Sequence, residues 1–199
     1  MRLADSLHIP LFPLGTVLFS GGVLPLRIFE PRYLSMIGNC MRDDAGFGVV
    51  LITEGREAGT AARFHHVGTL ARIEDFDRLE DGHLGITCRG ERRFRVIEHA
   101  IQEDHLITAD VEFLAEQVAP PLPDSYPEMK RFLQGLYRRE ELKVWADSII
   151  PDWENGHWLA CRLIEVLPLA AEGRQAFLEM EAGERLVNLA RVMDENGLI

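Results

Sequence analysis

The chain is short of lysine, of paired cysteine and of long apolar runs, and each shortage excludes something. Among 199 residues lysine occurs only at Lys130 and Lys143, and neither follows a glycine. No loop ending in Gly-Lys-Ser/Thr is therefore present to cradle a nucleotide's phosphates. A Ser–Lys dyad needs a serine beside a desolvated lysine. Ser125 reads as a helix cap, and Ser148 lies near Lys143 without a recognisable motif. The cysteines, Cys40, Cys88 and Cys161, are odd in number, far apart and form no CxxC pair, so they read as buried thiols of a reducing compartment. No apolar run approaches the roughly 20 residues that cross a bilayer. Asp5 and His8 interrupt the start, where a signal peptide would be continuously apolar. The expectation is a cytoplasmic protein with no membrane partner.

Positive charge is scarce as well. Lys and Arg number 21 against 32 Asp and Glu, a net charge of −11, divided as −6 over residues 1–118 and −5 over 119–199. No basic half exists to hold a phosphate backbone. The densest basic cluster, Arg89, Arg92, Arg93 and Arg95 around Glu91, has only Phe94 interleaved for base stacking. A charged hairpin paired with neighbouring acids accounts for it better than a nucleic-acid surface.

What is present is enough apolar residue, 47%, to bury a core in one large domain or two small ones. Residues 9–33 organise the rest. Pro10, Pro13, Pro25 and Pro31 punctuate short apolar runs, and proline gives no N–H to a ladder, so none of these runs is expected to be a long central strand. From Val23 to Phe29 the residues alternate, with Leu24, Leu26 and Ile28 on one face and Pro25 and Arg27 on the other, after a Gly21-Gly22 turn. Glu30-Pro31 opens a helix, in which Tyr33, Leu34, Ile37 and Met41 recur at helical spacing.

A doubly buried strand is expected over Phe47–Thr53, then a solvated loop from Glu54 to Thr60. Strands follow at Phe64–Phe76, His83–Cys88, Arg93–Ala100 and Leu106–Leu114, with turns at Glu80-Asp81-Gly82, Arg89-Gly90 and Gln102-Glu103-Asp104. Sequential antiparallel strands hide their edges by curling into a barrel. Ala119–Pro123 is a proline-rich linker, after which Ser125-Tyr126-Pro127-Glu128 has the form of a capping box and apolar stripes signal helices. The helix breaks fall at Pro168 and Asn196-Gly197.

The phrase from Pro10 to Tyr33 resembles the opening of the amino-terminal domain of Lon proteases. His66 to Ile73, Leu84 to Phe94 and Glu165-Val166-Leu167-Pro168-Leu169 are similar to later phrases of that family. The resemblance implies an α+β fold: an incomplete PUA-like β-barrel with one inserted helix over about residues 1–118, then a carboxy-terminal helical bundle over about 119–199. It also implies substrate recognition rather than catalysis, since the family's motor and Ser–Lys peptidase have no counterpart in these residues.

The function expected is a non-enzymatic protein-binding module. Its implied partners are unfolded or exposed protein segments, with a protease or chaperone to act on them, and no cofactor or metal. The expected peptide surface comprises Phe12, Phe19, Arg27, Phe29, Glu30, Arg32 and Tyr33, where a strand edge lies beside apolar side chains. The alternative is a nucleic-acid-binding protein using the PUA-like barrel, an analogy of fold alone. Three other groups have structural readings: His65-His66, which point opposite ways on a strand; the acids Glu74, Asp75, Asp77, Glu80 and Asp81, a solvated edge around a hairpin; and Trp145, Trp153 and Trp158, core and interface residues.

Overall fold

The opening stretch folds as strand β1 (Ser6–Leu14), strand β2 (Val23–Ile28) and helix α1 (Pro31–Arg42). The structure, a computed structural model, describes residues 6–55, 57, 63–115 and 122–199. Pro31 takes the first helical turn, and Glu30 occupies the position before it, as expected, although its side chain makes no capping bond. β3 (Phe47–Glu54), β4 (Arg63–Arg78), β5 (Leu84–Ile101) and β6 (Ile107–Phe113) complete a six-stranded sheet of order β2-β5-β4-β3-β1-β6. β3 is buried on both faces over its first five residues, which its unbroken apolar run requires.

The sheet curls because β5 is long enough for several partners. β4 pairs with it over Leu84–Arg95, while the same strand meets β2 at Leu84–Arg89 and β6 at Phe94–Ile101. Pairing thus runs from β5 through β4, β3, β1 and β6 back to β5. The six-stranded sheet as a whole does not close, since β2 stands outside this ring of pairings and, among the described residues, has no strand partner but β5.

β1 overturns the expectation that no proline-broken run forms a long interior strand. It is nine residues long and lies between β3 and β6. It changes ladder at Leu11: residues 6–11 pair with β6, and 11–14 pair in parallel with β3. Pro10 and Pro13 therefore each sit where only one edge is laddered, and the missing N–H can face the other way.

The turn expected at Arg89-Gly90 is also absent, for β5 is continuous through it. Gly90 marks a close backbone approach instead: Gly21 N–H donates to Gly90 O at 2.7 Å, Gly90 N–H donates to Gly22 O at 2.9 Å, and a Cβ on Gly90 would lie 2.2 Å from Phe19 O. Gly21, at φ 75°, supplies the left-handed residue of the turn that Gly22 N–H closes on Phe19 O at 2.9 Å. At the barrel's centre Phe94 fills the space over two further glycines, where a Cβ on Gly48 or Gly68 would come within 2.6 or 2.8 Å of its ring.

Contacts divide the chain into two compact units, residues 1–115 and 116–199. In the second, α2 (Tyr126–Leu136) leads to a 3-10 turn at Glu140–Leu142, α3 (Lys143–Asp147), α4 (Gly156–Val166), α5 (Ala171–Glu179) and α6 (Ala182–Glu195). α4 is the central helix, in contact with α2, α5 and α6 and buried at Leu159, Ala160, Leu163 and Ile164. Asn155 caps it, its Oδ1 accepting from Trp158 N–H at 3.1 Å. The capping box expected at Ser125 does not form, because Ser125 has ψ 3° rather than the extended backbone that aims a hydroxyl into the first turn. Of the proline-rich linker at 119–123, residues 119–121 lie outside the described residues, as do 56 and 58–60 of the loop at 54–60.

Candidate peptide-binding site

β2 is the edge of the sheet that carries the site. Because Gly22 O bonds into β5, alternation sends the backbone groups of Leu24, Leu26 and Ile28 toward β5 and those of Val23, Pro25 and Arg27 outward. Pro25 stands opposite Thr87 at one of these outward positions, where its missing N–H takes nothing from the ladder. Beside this edge lies a cavity of about 270 Å³ lined by Phe12, Leu14, Pro25, Leu26, Arg27, Ile28, Phe29, Glu30, Tyr33 and Glu57.

Its wall is set by ring packing. Phe12 stacks on Tyr33 with centroids 3.9 Å apart and planes at 19°, and the Arg32 guanidinium carbon lies 4.6 Å from the centre of the Tyr33 ring. Burial pushes the Tyr33 hydroxyl up to about 12, opposed by Arg32 and reinforced by Glu30 and Glu57, so it stays a proton donor. Buried Arg32 pairs with Glu30 at 2.9 Å and donates to His105 O at 3.0 Å, tying α1 to the β5–β6 turn. Phe29 is 55% exposed at the rim, edge-on to His83 at 6.2 Å. Arg27 is tied to Asp81 and to His83 Nδ1. Glu57 Oε1 accepts from Gly15 N–H at 2.6 Å.

Of the seven residues expected at a peptide surface, Phe12, Arg27, Phe29, Glu30 and Tyr33 line this cavity. Phe19 and Arg32 do not. Phe19 is fully buried, its carbonyl accepting from Gly22 N–H at 2.9 Å beside Gly90, so it is core rather than contact. Arg32 supports the wall from behind. Leu26 and Ile28 were signalled by the alternation of β2, whereas nothing local marked Leu14 or Glu57.

The other groups find structural partners. Arg89 pairs with Glu74 at 2.5 Å, Arg72 with Glu91 at 2.8 Å, Arg92 lies over the Phe113 ring and Arg93 is buried. Asp75 and Asp77 each accept from the next backbone N–H. Trp153 and Trp158 pack edge-on at 5.2 Å, and Tyr137 meets Trp145 and Trp153 at 5.1 Å. Ser148 Oγ donates to Trp145 O, and Lys143 pairs with Glu140. His66 lies 6.4 Å from His99, ring to ring.

Residues 8–194 match the family described as the ATP-dependent protease La (LON) substrate-binding domain. The chain belongs to that family. A Lon N-terminal domain protein from Xanthomonas campestris is 31% identical, with a TM-score of 0.75 over 93% of this chain and 98% of that one. The N-terminal domain of a Mycobacterium avium complex Lon protease shares the fold at TM-score 0.68 and 19% identity, over 92% of this chain and 96% of that one. Protein cereblon of Gallus gallus is 30% identical over 73% of this chain and 32% of its own length. Lon protease 2 of Herpetosiphon aurantiacus is 28% identical over 96% of this chain and 24% of its own. The chain spans a third or less of these curated relatives.

Proposed function

We propose that this chain is a non-enzymatic recognition module that holds extended apolar segments of other proteins along β2, and that any degradation of them is carried out by a partner. The observation that carries the reading is the cavity walled by Phe12, Leu14, Leu26, Ile28, Phe29 and Tyr33 beside an edge strand with outward-facing backbone groups. Strand addition at such an edge gives affinity through the main chain and selectivity through pockets. Membership of a substrate-binding family and the Lon proteases among its relatives support the same reading.

Magnitudes favour weak, releasable binding. One large apolar side chain contributes about 1.5–3 kcal/mol on burial, whereas a millimolar complex already needs about 4 kcal/mol. Strand bonds must supply the remainder, and Pro25 withholds one donor from them. A nucleic-acid surface draws little on the basic cluster, where Arg89 is paired, Arg92 stacked and Arg93 buried.

The test is a fluorescence-anisotropy titration of the intact chain with unfolded, labelled casein and with a double-stranded RNA. Casein should bind, and Phe29→Ser should weaken it several-fold with an unchanged melting temperature, since Phe29 is more than half exposed. Binding of RNA alone, or casein binding indifferent to Phe29→Ser, would overturn the proposal.

A further inference from the structure

The helical unit carries a groove of about 530 Å³, larger than the cavity beside β2, where the carboxy-terminal ends of α2, α4 and α6 meet. Phe132 and Leu136 of α2, Val166 and Leu167 at the end of α4, Val192 of α6 and Leu198 beyond it supply the apolar wall. All of these but Leu167 are half-buried or exposed, so the chain covers this wall only in part.

Two residues at the groove bear on its occupant. Gly135 lies one turn on from Phe132, inside α2 and with an ordinary right-handed backbone, so no left-handed turn calls for a glycine there. A Cβ at that place would meet nothing within 4 Å. Glycine inside a helix is destabilising relative to alanine, and no close packing within the chain offsets that loss. What the missing side chain leaves is a low shoulder beside the groove, on which a second backbone can lie close. Arg139 is the one charged residue lining the groove, and it makes no ion pair or side-chain hydrogen bond among the described residues.

Backbone carbonyls at the groove are already engaged. Leu136 O accepts from Arg139 N–H at 3.0 Å, Leu167 O from Leu169 N–H at 2.7 Å and Val192 O from Asn196 N–H at 3.2 Å. An extended guest finds no ladder here, so the guest must satisfy its own backbone, as a helix does. We infer that the groove holds an amphipathic helix of a partner protein, with large apolar side chains at i, i+4 and i+7 and one acidic residue a turn beyond, against Arg139. Residues 119–199 carry a net charge of −5, so a single acid at this place suits the groove and an acidic run does not. The groove lies wholly in the helical unit, and its occupancy is independent of the reading at β2.

The experiment titrates the intact chain with three fluorescent peptides of about 16 residues, built on alanine and glutamine and long enough for measurable helicity. One has leucines at i, i+4 and i+7 and a glutamate a turn beyond, the second has lysine in place of the glutamate, and the third has a central proline. The glutamate peptide should bind about threefold more tightly than the lysine one, the scale of a single exposed ion pair. The proline peptide should bind at least about tenfold more weakly, since it cannot form the helix. Gly135→Leu should keep or raise the melting temperature, because leucine is the better helix former, and should weaken binding several-fold by filling the shoulder. Arg139→Glu should reverse the preference to lysine. Binding of none of the peptides, equal binding of the proline peptide, binding indifferent to Gly135→Leu, or a glutamate preference that survives Arg139→Glu overturns the inference. A lowered melting temperature in Gly135→Leu does so too, since the glycine then serves the chain's own packing. So does sedimentation showing a wild-type dimer that Gly135→Leu turns into a monomer, for a second copy then fills the groove.

Discussion

Two buried cysteines, one in each unit, titrate in opposite directions. Cys88 lies in the barrel core among Leu24, Ile73 and Ile86, and burial pushes its thiol up to about 12, with small additions from Cys40 and Glu74. Cys161, on α4, is as thoroughly buried, and burial alone would raise it too. Its thiol is instead lowered to about 7 by His157, whose Nε2 lies 3.9 Å away, and by Arg185 and Arg162. Burial by itself thus fixes no direction. What decides it is whether fixed charges are buried alongside. The barrel excludes them from around Cys88, whereas the helical unit encloses Arg162 and Arg185 completely.

Arg185 is enclosed because it does other work. It donates to Phe177 O at 2.8 Å, Leu178 O at 3.3 Å and Met180 O at 2.9 Å, satisfying carbonyls where α5 ends, and meets His157 Nδ1 at 3.0 Å. Arg185→Met should break the comparison most severely. It strands those carbonyls, and at about 1–3 kcal/mol for each buried group left unsatisfied the loss should reach about 3 kcal/mol or more. In whatever fraction stays folded, the Cys161 thiol should move up toward the behaviour of Cys88, read by thiolate absorbance against pH. A thiolate that still forms near pH 7 would show that His157 alone is sufficient.

The next effect is in the pH dependence of stability. Cys161 falls from its ordinary 9.0 to about 7 on folding, so its contribution is present above pH 9 and lost as pH falls through 7. Glu165 moves the other way: burial outweighs its pairing with Arg162 and raises it from 4.5 to about 7, so its contribution is present below pH 4.5 and lost as pH rises through 7. Stability of the wild-type chain should therefore decline toward neutrality and recover by pH 9, each limb worth about 2–3 kcal/mol at most. Denaturant melts at pH 5, 7 and 9 test this. Cys161→Ala should flatten the alkaline limb and Glu165→Gln the acid one, and a curve unchanged in both would refute the assignment.

The smallest effect is expected at Cys88→Ala. It should cost about 1–2 kcal/mol through lost packing, and equally at pH 6 and pH 8.5, because the thiol it removes stays protonated in the fold throughout that range. A penalty that varies across this interval would mean that charge reaches the barrel core after all.

Local signals were legible in the sequence, and partnerships across distance were not. The alternation of Val23 to Phe29, which β2 follows as far as Ile28, the proline opening α1 and the glycine ending α6 depend on neighbouring residues and were legible. Whether β1 lies inside the sheet depends on its change of ladder at Leu11, which no pattern within residues 6–14 encodes. Gly90 reads as a turn because glycine serves reversal and close approach alike, and only the nearness of Phe19 O distinguishes them. Phe19 and Phe29 look equivalent as aromatics near turns, yet one is core and the other rim. The cavity beside β2 was partly legible because Phe29, Glu30 and Tyr33 are near in sequence, whereas Leu14 and Glu57 reach it only through the fold.

The change of ladder along β1 has a bearing on how the barrel unit assembles. His8 Nδ1 and Asp110 Oδ1 meet at 2.7 Å across 102 positions of chain, so β1, once synthesised, must wait for β6, the last strand of its unit. Closing so long a loop costs entropy before any contact repays it. Until β6 arrives, β1 is an apolar ribbon without its antiparallel partner. Its two prolines make it a poor template for other chains during that wait, and the residues that complicate its place in the finished sheet protect the unfinished one.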